Sequence, residues 1–202
     1  MSALVERVLR ELPGNVYALL DGGRDPRIRN FVIDTRAAAW CLYRGNPLPA
    51  AVEQAAPWLV RITPGMPWVE QLFARGWQQS WGVFLSTDAP SRELRRHLRR
   101  FLRVRSEDGR ILAFRYYDPR VLRAYLPTCT PGEIAELFGP LRAIVAEAEG
   151  DPRVAHVYRS GPAGLEAGLF ELPAPAELPA RAAPAASSGS RSQKAAERRA
   201  GP

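Results

Sequence analysis

Lysine is nearly missing from this chain. Lys194 is the only one, so the 28 basic residues set against 21 acidic ones, a formal charge of +7, are carried almost wholly by arginine. Arginine makes planar, bidentate and stacked contacts that an ammonium group does not. The excess charge is therefore of the kind that grips carboxylates and phosphates. Cysteine is almost as scarce. Cys41 and Cys129 stand far apart with no CxxC pair, which argues against a disulfide framework or zinc ribbon and leaves two reduced, buried thiols. His97 and His156 are the only histidines, and neither has Cys, Asp or Glu at ligand spacing. GxSxG, Walker and GxGxxG motifs are all missing, and Asp21-Gly22-Gly23-Arg24 reads as a turn. The expectation is no catalytic residue, no metal and no cofactor, hence a protein that is not an enzyme. A Cys–His dyad built on Cys41 or Cys129 is the remaining enzymatic alternative. No apolar run approaches the roughly 18 residues of a membrane span. Residues 1–12 carry charges throughout and read as an amphipathic helix, with Leu4, Val5, Val8, Leu9 and Leu12 on one side, rather than a signal peptide. A cytoplasmic protein without membrane contact is expected.

What is present suffices for a core: 46% of residues are hydrophobic and five are tryptophan, which excludes wholesale disorder. The pattern predicts an α/β fold, a mixed sheet of short strands alternating with helices. Strands are expected at Val16–Leu20, Ala39–Tyr43, Trp58–Ile62, Trp81–Leu85, Ile111–Tyr117, Ala143–Glu147 and Arg153–Tyr158. Helices are expected after Asp25-Pro26, around Trp68–Phe73, from Ser91 to about Arg103, from Pro119, and from the capping box Thr130-Pro-Gly-Glu133. Leu48–Ala56 is either loop or weak helix. Residues 1–145 read as the main domain and 146–172 as a short hairpin-like extension. From 173 to 202, Pro, Ala, Ser, Gly and Arg dominate, and the composition predicts a disordered tail.

Two features stand out. The first is Phe114-Arg-Tyr-Tyr-Asp-Pro-Arg-Val-Leu-Arg-Ala-Tyr-Leu-Pro127, read as a strand running into a helix with Asp118 as N-cap and Pro119 as first helical residue. Asp-Pro-Arg recurs at Asp25-Pro26-Arg27 and Asp151-Pro152-Arg153. Capping explains Asp and Pro but not the arginine, since a cation in the first turn opposes the helix dipole. Arg27 and Arg120 must therefore meet a carboxylate, either in this chain, with Asp21 and Asp25 as candidates, or in a partner. The second feature is the Arg-rich helix 91–105. Leu94, Leu98, Phe101 and Leu102 fall on one face and Arg92, Arg96, Arg99 and Arg103 on the other, with Glu93 the lone acid. That face is either solvated or meets an anionic partner, a nucleic acid or an acidic protein surface.

The order of short motifs carries a resemblance. Tyr17-Ala-Leu-Leu-Asp-Gly22, Cys41-Leu-Tyr-Arg-Gly45, Ala56-Pro-Trp-Leu-Val60, Trp81-Gly-Val-Phe-Leu-Ser86 and Leu98-Arg-Arg-Phe-Leu102 come first. Phe114-Arg-Tyr-Tyr-Asp-Pro-Arg-Val-Leu122, Leu126-Pro-Thr-Cys-Thr130 and Leu137-Phe-Gly-Pro140 complete the series. Over roughly residues 15–145 it resembles the type VI secretion effector adaptor/chaperone family, long catalogued as a domain of unknown function. The resemblance implies a non-enzymatic cytoplasmic adaptor. Such a protein binds a secreted effector and helps load it onto the valine–glycine-repeat spike, VgrG. It also implies a structural signature of Asp21, Gly22, Asp25, Pro26, Asp118 and Pro119. Candidate partner-binding residues are Tyr116, Tyr117, Arg120, Arg92, Arg96, Arg99 and Arg103; the tyrosines and Arg120 either brace the sheet or face a client. The resemblance also implies a further helical lobe in many relatives, where this chain has its short extension. The competing expectation is a nucleic-acid-binding module using the Arg-rich helix, although no DNA- or RNA-binding motif accompanies it, so nucleic acid is not the expected partner.

Overall fold

The computed structural model describes residues 2–173, except 46 and 107. The expected tail therefore lies outside the described residues, apart from Pro173.

The fold is organised around strand β1 (Asn15–Asp21), which is buried along all but its first residue. Successive side chains of a strand point to opposite faces, and here both faces are covered. Val16, Ala18 and Leu20 enter one core; Tyr17 and Leu19 enter a second. A strand buried on both sides needs a nearly continuous apolar run, and Val16–Leu20 supplies it.

β1 is an interior strand, third from one edge of a seven-stranded sheet. Its order is β2 (Ala39–Cys41), β3 (Pro57–Arg61), β1, β4 (Gly82–Thr87), β7 (Leu141–Glu147), β8 (Val154–Gly161), β9 (Gly164–Glu171). Strands and helices alternate as expected, and every pairing in the sheet is antiparallel. On one face pack α1 (Ala3–Arg10), α2 (Arg27–Asp34) and α4 (Pro67–Gly76), through Val5, Val8, Ile28, Phe31, Leu72 and Phe73. The opposite face carries α5 (Ser91–Arg100), α6 (Pro119–Tyr125) and α7 (Pro131–Phe138), through Leu94, Leu98, Leu122, Ile134 and Phe138. Two cores separated by one sheet give a three-layer arrangement. A short helix α3 (Ala50–Gln54) settles the segment left open between loop and helix.

Four expectations are corrected. The helix expected to reach Arg103 stops at Arg100, and Arg103–Arg105 form β5, paired antiparallel with β6 (Ile111–Ala113) in a separate hairpin. The Leu102 carbonyl already accepts from the Phe114 amide, so strand pairing claims the backbone that another helical turn would have used. Secondly, the strand expected over Ile111–Tyr117 ends at Ala113. Tyr116 and Tyr117 are both buried, at 4% and 2% exposure. Adjacent residues cannot both face one core from an extended strand, and a turn, closed by the Asp118 amide donating to the Arg115 carbonyl, lets both point inward. Thirdly, β9 extends the sheet where no third late strand was expected. Finally, a boundary at 145/146 would fall inside β7, and β8 and β9 continue the same sheet.

Candidate functional site: an arginine-lined groove beside a closed aspartate corner

The end of β1 and the start of α6 meet in a corner held by two aspartates. Asp21, only 1% exposed, accepts from the Gly23 amide at 3.0 Å and from Arg115 Nε at 2.8 Å, with the Arg115 Nη2 group bonded as well. Asp118 caps α6. Its Oδ1 accepts from the Arg120 amide and from Arg120 Nε, each at 3.0 Å, and its Oδ2 from Arg120 Nη2 at 2.6 Å. Gly22 follows from the same packing: a Cβ there would lie 2.5 Å from the carbonyl oxygens of both Gln54 and Ala56, so backbone approaches backbone only because the side chain is missing. Beneath the corner, the Tyr116 hydroxyl donates to the Leu98 carbonyl at 2.9 Å, and its ring meets Tyr117 edge-on at 5.4 Å. Burial pushes both tyrosine hydroxyls far above their ordinary range.

The two carboxyls respond differently to this setting. Desolvation pushes Asp21 above the usual range, and the Arg115 hydrogen bonds bring it only part of the way back. Burial pushes Asp118 the same way, but the Arg120 hydrogen bonds and charge outweigh it and hold the group below the usual range. Arg115 and Arg120 stay charged in either case, so only the aspartates can release these pairs. Carboxyls pushed apart in pKa are a pattern seen in acid–base sites. Here Asp21 is sealed from solvent and both groups are spent on arginines, so the corner is a brace.

The three Asp-Pro-Arg segments share one device. Each aspartate accepts from the amide of the arginine two residues on: Asp25 at 2.8 Å, Asp118 at 3.0 Å, Asp151 at 2.8 Å. Each arginine then folds back on that same carboxylate, Arg27 Nη2 at 2.6 Å from Asp25, Arg120 at 2.6 Å from Asp118 and Arg153 more loosely at 3.8 Å from Asp151. The carboxylate that Arg27 and Arg120 required is thus within the tripeptide, and helix α2 begins at Arg27 itself.

A second, differently built surface lies where the last turns of α5 face α3 and the β5–β6 hairpin. It is a groove of about 830 Å³. Arg96, Arg99 and Arg100 line one side, Arg103 the hairpin side, and Arg44 the loop after β2. Leu48, Val52, Leu102 and Ile111 supply apolar lining, and Ile111 is 64% exposed. Arg99 is fixed by donating Nε to the Leu42 carbonyl at 2.9 Å and Nη2 to the Cys41 carbonyl at 3.3 Å. Desolvation, with repulsion from Arg95 and Arg44, lowers its pKa, although arginine remains charged. Arg100 pairs with Glu136 at 2.8 Å, both well exposed. Among the described residues, Arg44, Arg96 and Arg103 pair with no carboxylate.

The sequence-predicted residues therefore separate into groups. Arg96, Arg99 and Arg103 come together, Arg103 from a strand rather than the helix. Arg92 is exposed on α5 and does not line the groove. Tyr116 and Tyr117, candidates either to brace the sheet or to face a client, are core residues. Arg120, half exposed, borders a shallow apolar depression of about 550 Å³ with Phe114, Val121 and Tyr125. Arg44, Leu48, Val52 and Ile111 were not anticipated, because periodicity within one segment carries no signal for a wall assembled from three. Cys41 and Cys129 are free and half-buried rather than buried, and burial pushes both thiols up, away from the reactive thiolate. His97 is buried with Nε2 2.8 Å from the Leu137 carbonyl. Among the described residues no three His, Cys, Asp or Glu side chains gather as metal ligands, and no helix is long and apolar enough to cross a membrane.

No curated protein and no solved structure matches the chain. Residues 16–136, more than half of the sequence and spanning both the corner and the groove, match the family model described as Domain of unknown function (DUF4123). The chain belongs to this DUF4123 family, which is linked to type VI secretion adaptors.

Proposed function

We propose that this protein is a non-enzymatic cytoplasmic adaptor that binds a type VI secretion effector and promotes its loading onto the VgrG spike. The observation that carries the reading is the family match over residues 16–136. The arginine-lined groove within that span supports it, because Arg44, Arg96 and Arg103, without carboxylate partners among the described residues, suit a surface completed by another molecule. In this role the corner keeps the end of β1, the 115–118 turn and α6 in register, and the groove meets the client. The adaptor has no bond to make or break; its work is binding and release.

Co-expression with the effector and spike of the same cell tests this. The expected result is a complex of adaptor and effector that purifies intact, and spike-bound effector that falls sharply when the adaptor is deleted. Effector loading that proceeds undiminished without the adaptor overturns the proposal.

A further inference from the structure

We propose that the groove between α5, α3 and the β5–β6 hairpin takes an extended acidic peptide segment whose carboxylates alternate with aliphatic or aromatic side chains. This deepens the adaptor reading and rests on it for the partner being a protein. Three observations point to that chemistry. Five guanidinium groups line the groove; among the described residues no carboxylate lines it, and of the five only Arg100 pairs with one, Glu136. Arg96 and Arg99 stand one turn apart on α5, where like charges repel, and Arg99 is further crowded by Arg95 and Arg44. Two of the Arg99 donor positions are spent on backbone carbonyls, which holds the guanidinium still while its other N–H groups remain available to a ligand. A carboxylate entering here relieves the repulsion and gains charge-assisted hydrogen bonds.

The lining is also apolar. Leu48, Val52, Leu102 and Ile111 are interleaved with the cations, and Val52 and Ile111 are exposed at 40% and 64%. A nucleic acid would match the cations but not this aliphatic surface. Single strands are gripped through a charged track with aromatic rings for base stacking, whereas among the described residues the groove's one ring belongs to Tyr43. A segment presenting acids and apolar side chains in turn answers both halves of the lining. A space of about 830 Å³ is of the size that holds a few side chains rather than a globular face.

The test is selection of short random peptides by display on the full chain, followed by anisotropy with the selected peptides and with a single-stranded oligonucleotide. Selected peptides are expected to be rich in Asp and Glu together with Leu, Ile, Phe or Trp. The double variant Arg96→Glu/Arg103→Glu is expected to weaken them by about tenfold or more, with Ile111→Asp weakening them independently. Circular dichroism and melting keep a folding defect apart from a binding one. An empty selection, peptides without acids, or peptides bound equally by the double variant overturn the assignment. So does an oligonucleotide that binds more tightly than any peptide and is released by the same variant. Pull-down of the co-expressed effector separates this from the adaptor reading. A double variant that still captures the effector sinks the groove and leaves the adaptor standing. A wild-type chain that captures no effector sinks the adaptor, whatever peptides it selects.

Discussion

Two arginine-rich surfaces of this protein are built on opposite terms. In the corner, Arg115 and Arg120 each close on an aspartate that is itself almost wholly buried. In the groove, Arg44, Arg96 and Arg103 face one another across apolar lining, with no carboxylate among the described residues. Arginine content alone does not distinguish a brace from a binding surface; what distinguishes them is whether the fold supplies the counter-charge. The corner takes its acids from the same tripeptide or from a turn that must be there anyway. Its charges are used up in holding three elements together. The groove leaves Arg44, Arg96 and Arg103 in water, where they add little or nothing to stability. The first surface should therefore be sensitive in melting experiments and silent in binding, and the second should behave the other way round.

Asp21→Ala tests the brace most directly. It removes the acceptor for the Gly23 amide and strands Arg115, whose guanidinium is partly buried. Breaking a fully buried pair costs about 3–5 kcal/mol. Because Arg115 retains some contact with water, about 2–3 kcal/mol is expected here. In a domain of this size that lowers Tm by about 4–12 °C in calorimetry. A fall of less than a degree would mean that Asp21 is not a brace. Gly22→Ala should be of similar size, since its Cβ meets two backbone carbonyls that cannot rotate away, and overpacking costs about 1–3 kcal/mol.

Asp118 is next. Asp118→Ala loses a helix cap, about 1 kcal/mol, together with the pair to a half-exposed arginine. Asp118→Asn keeps the cap acceptor and should recover most of the loss. The pH dependence has a definite sign. Arg120 holds the folded Asp118 carboxyl below the usual aspartate range, so its contribution is present above that range and is lost as pH falls through the folded value. The Tm difference between wild type and Asp118→Asn should accordingly shrink as pH falls below the usual aspartate range, on a thermal scan in acid. A difference that widens there would contradict the ion pair. Asp21, raised by burial, should not add to that acid loss, since its carboxyl binds the proton more tightly when folded.

Much of the brace was legible in the sequence, whereas of the groove only Arg96, Arg99 and Arg103 were. Caps are local chemistry: Asp118-Pro119 and Thr130-Pro-Gly-Glu133 form as their spacing predicts, with the Thr130 amide donating to Glu133 at 2.7 Å and the Glu133 amide to Thr130 Oγ1 at 3.3 Å. Strand β1 was legible because a run buried on both faces is apolar throughout. β9 was not, since Gly164 and Gly168 interrupt it and Leu169 points outward at 65% exposure, which hides its period. Tyr116 and Tyr117 misled because aromatics favour strands, while burying two neighbours at once requires a turn. The groove depends on bringing residues 44, 48, 52, 96 and 111 together, and no window of sequence contains that juxtaposition.

The smallest effect separates the two surfaces by salt. Arg96 and Arg99 repel across a turn, and Arg95 and Arg44 stand close to Arg99, so the groove carries self-repulsion that added salt screens. The corner's contacts are direct hydrogen bonds to buried carboxylates and are screened far less. Raising salt from low to molar concentration should therefore stabilise the wild type by a few tenths of a kcal/mol, the size of helical charge pairs. Arg96→Ala should capture part of that gain already at low salt, remaining within about 0.5 kcal/mol of wild type. The informative measurement is the slope of Tm against salt, which should be flatter in Arg96→Ala and unchanged in Asp118→Asn. Equal slopes in all three proteins would mean that the groove's cations do not sense one another. The cations would then have no mutual repulsion for a bound anion to relieve.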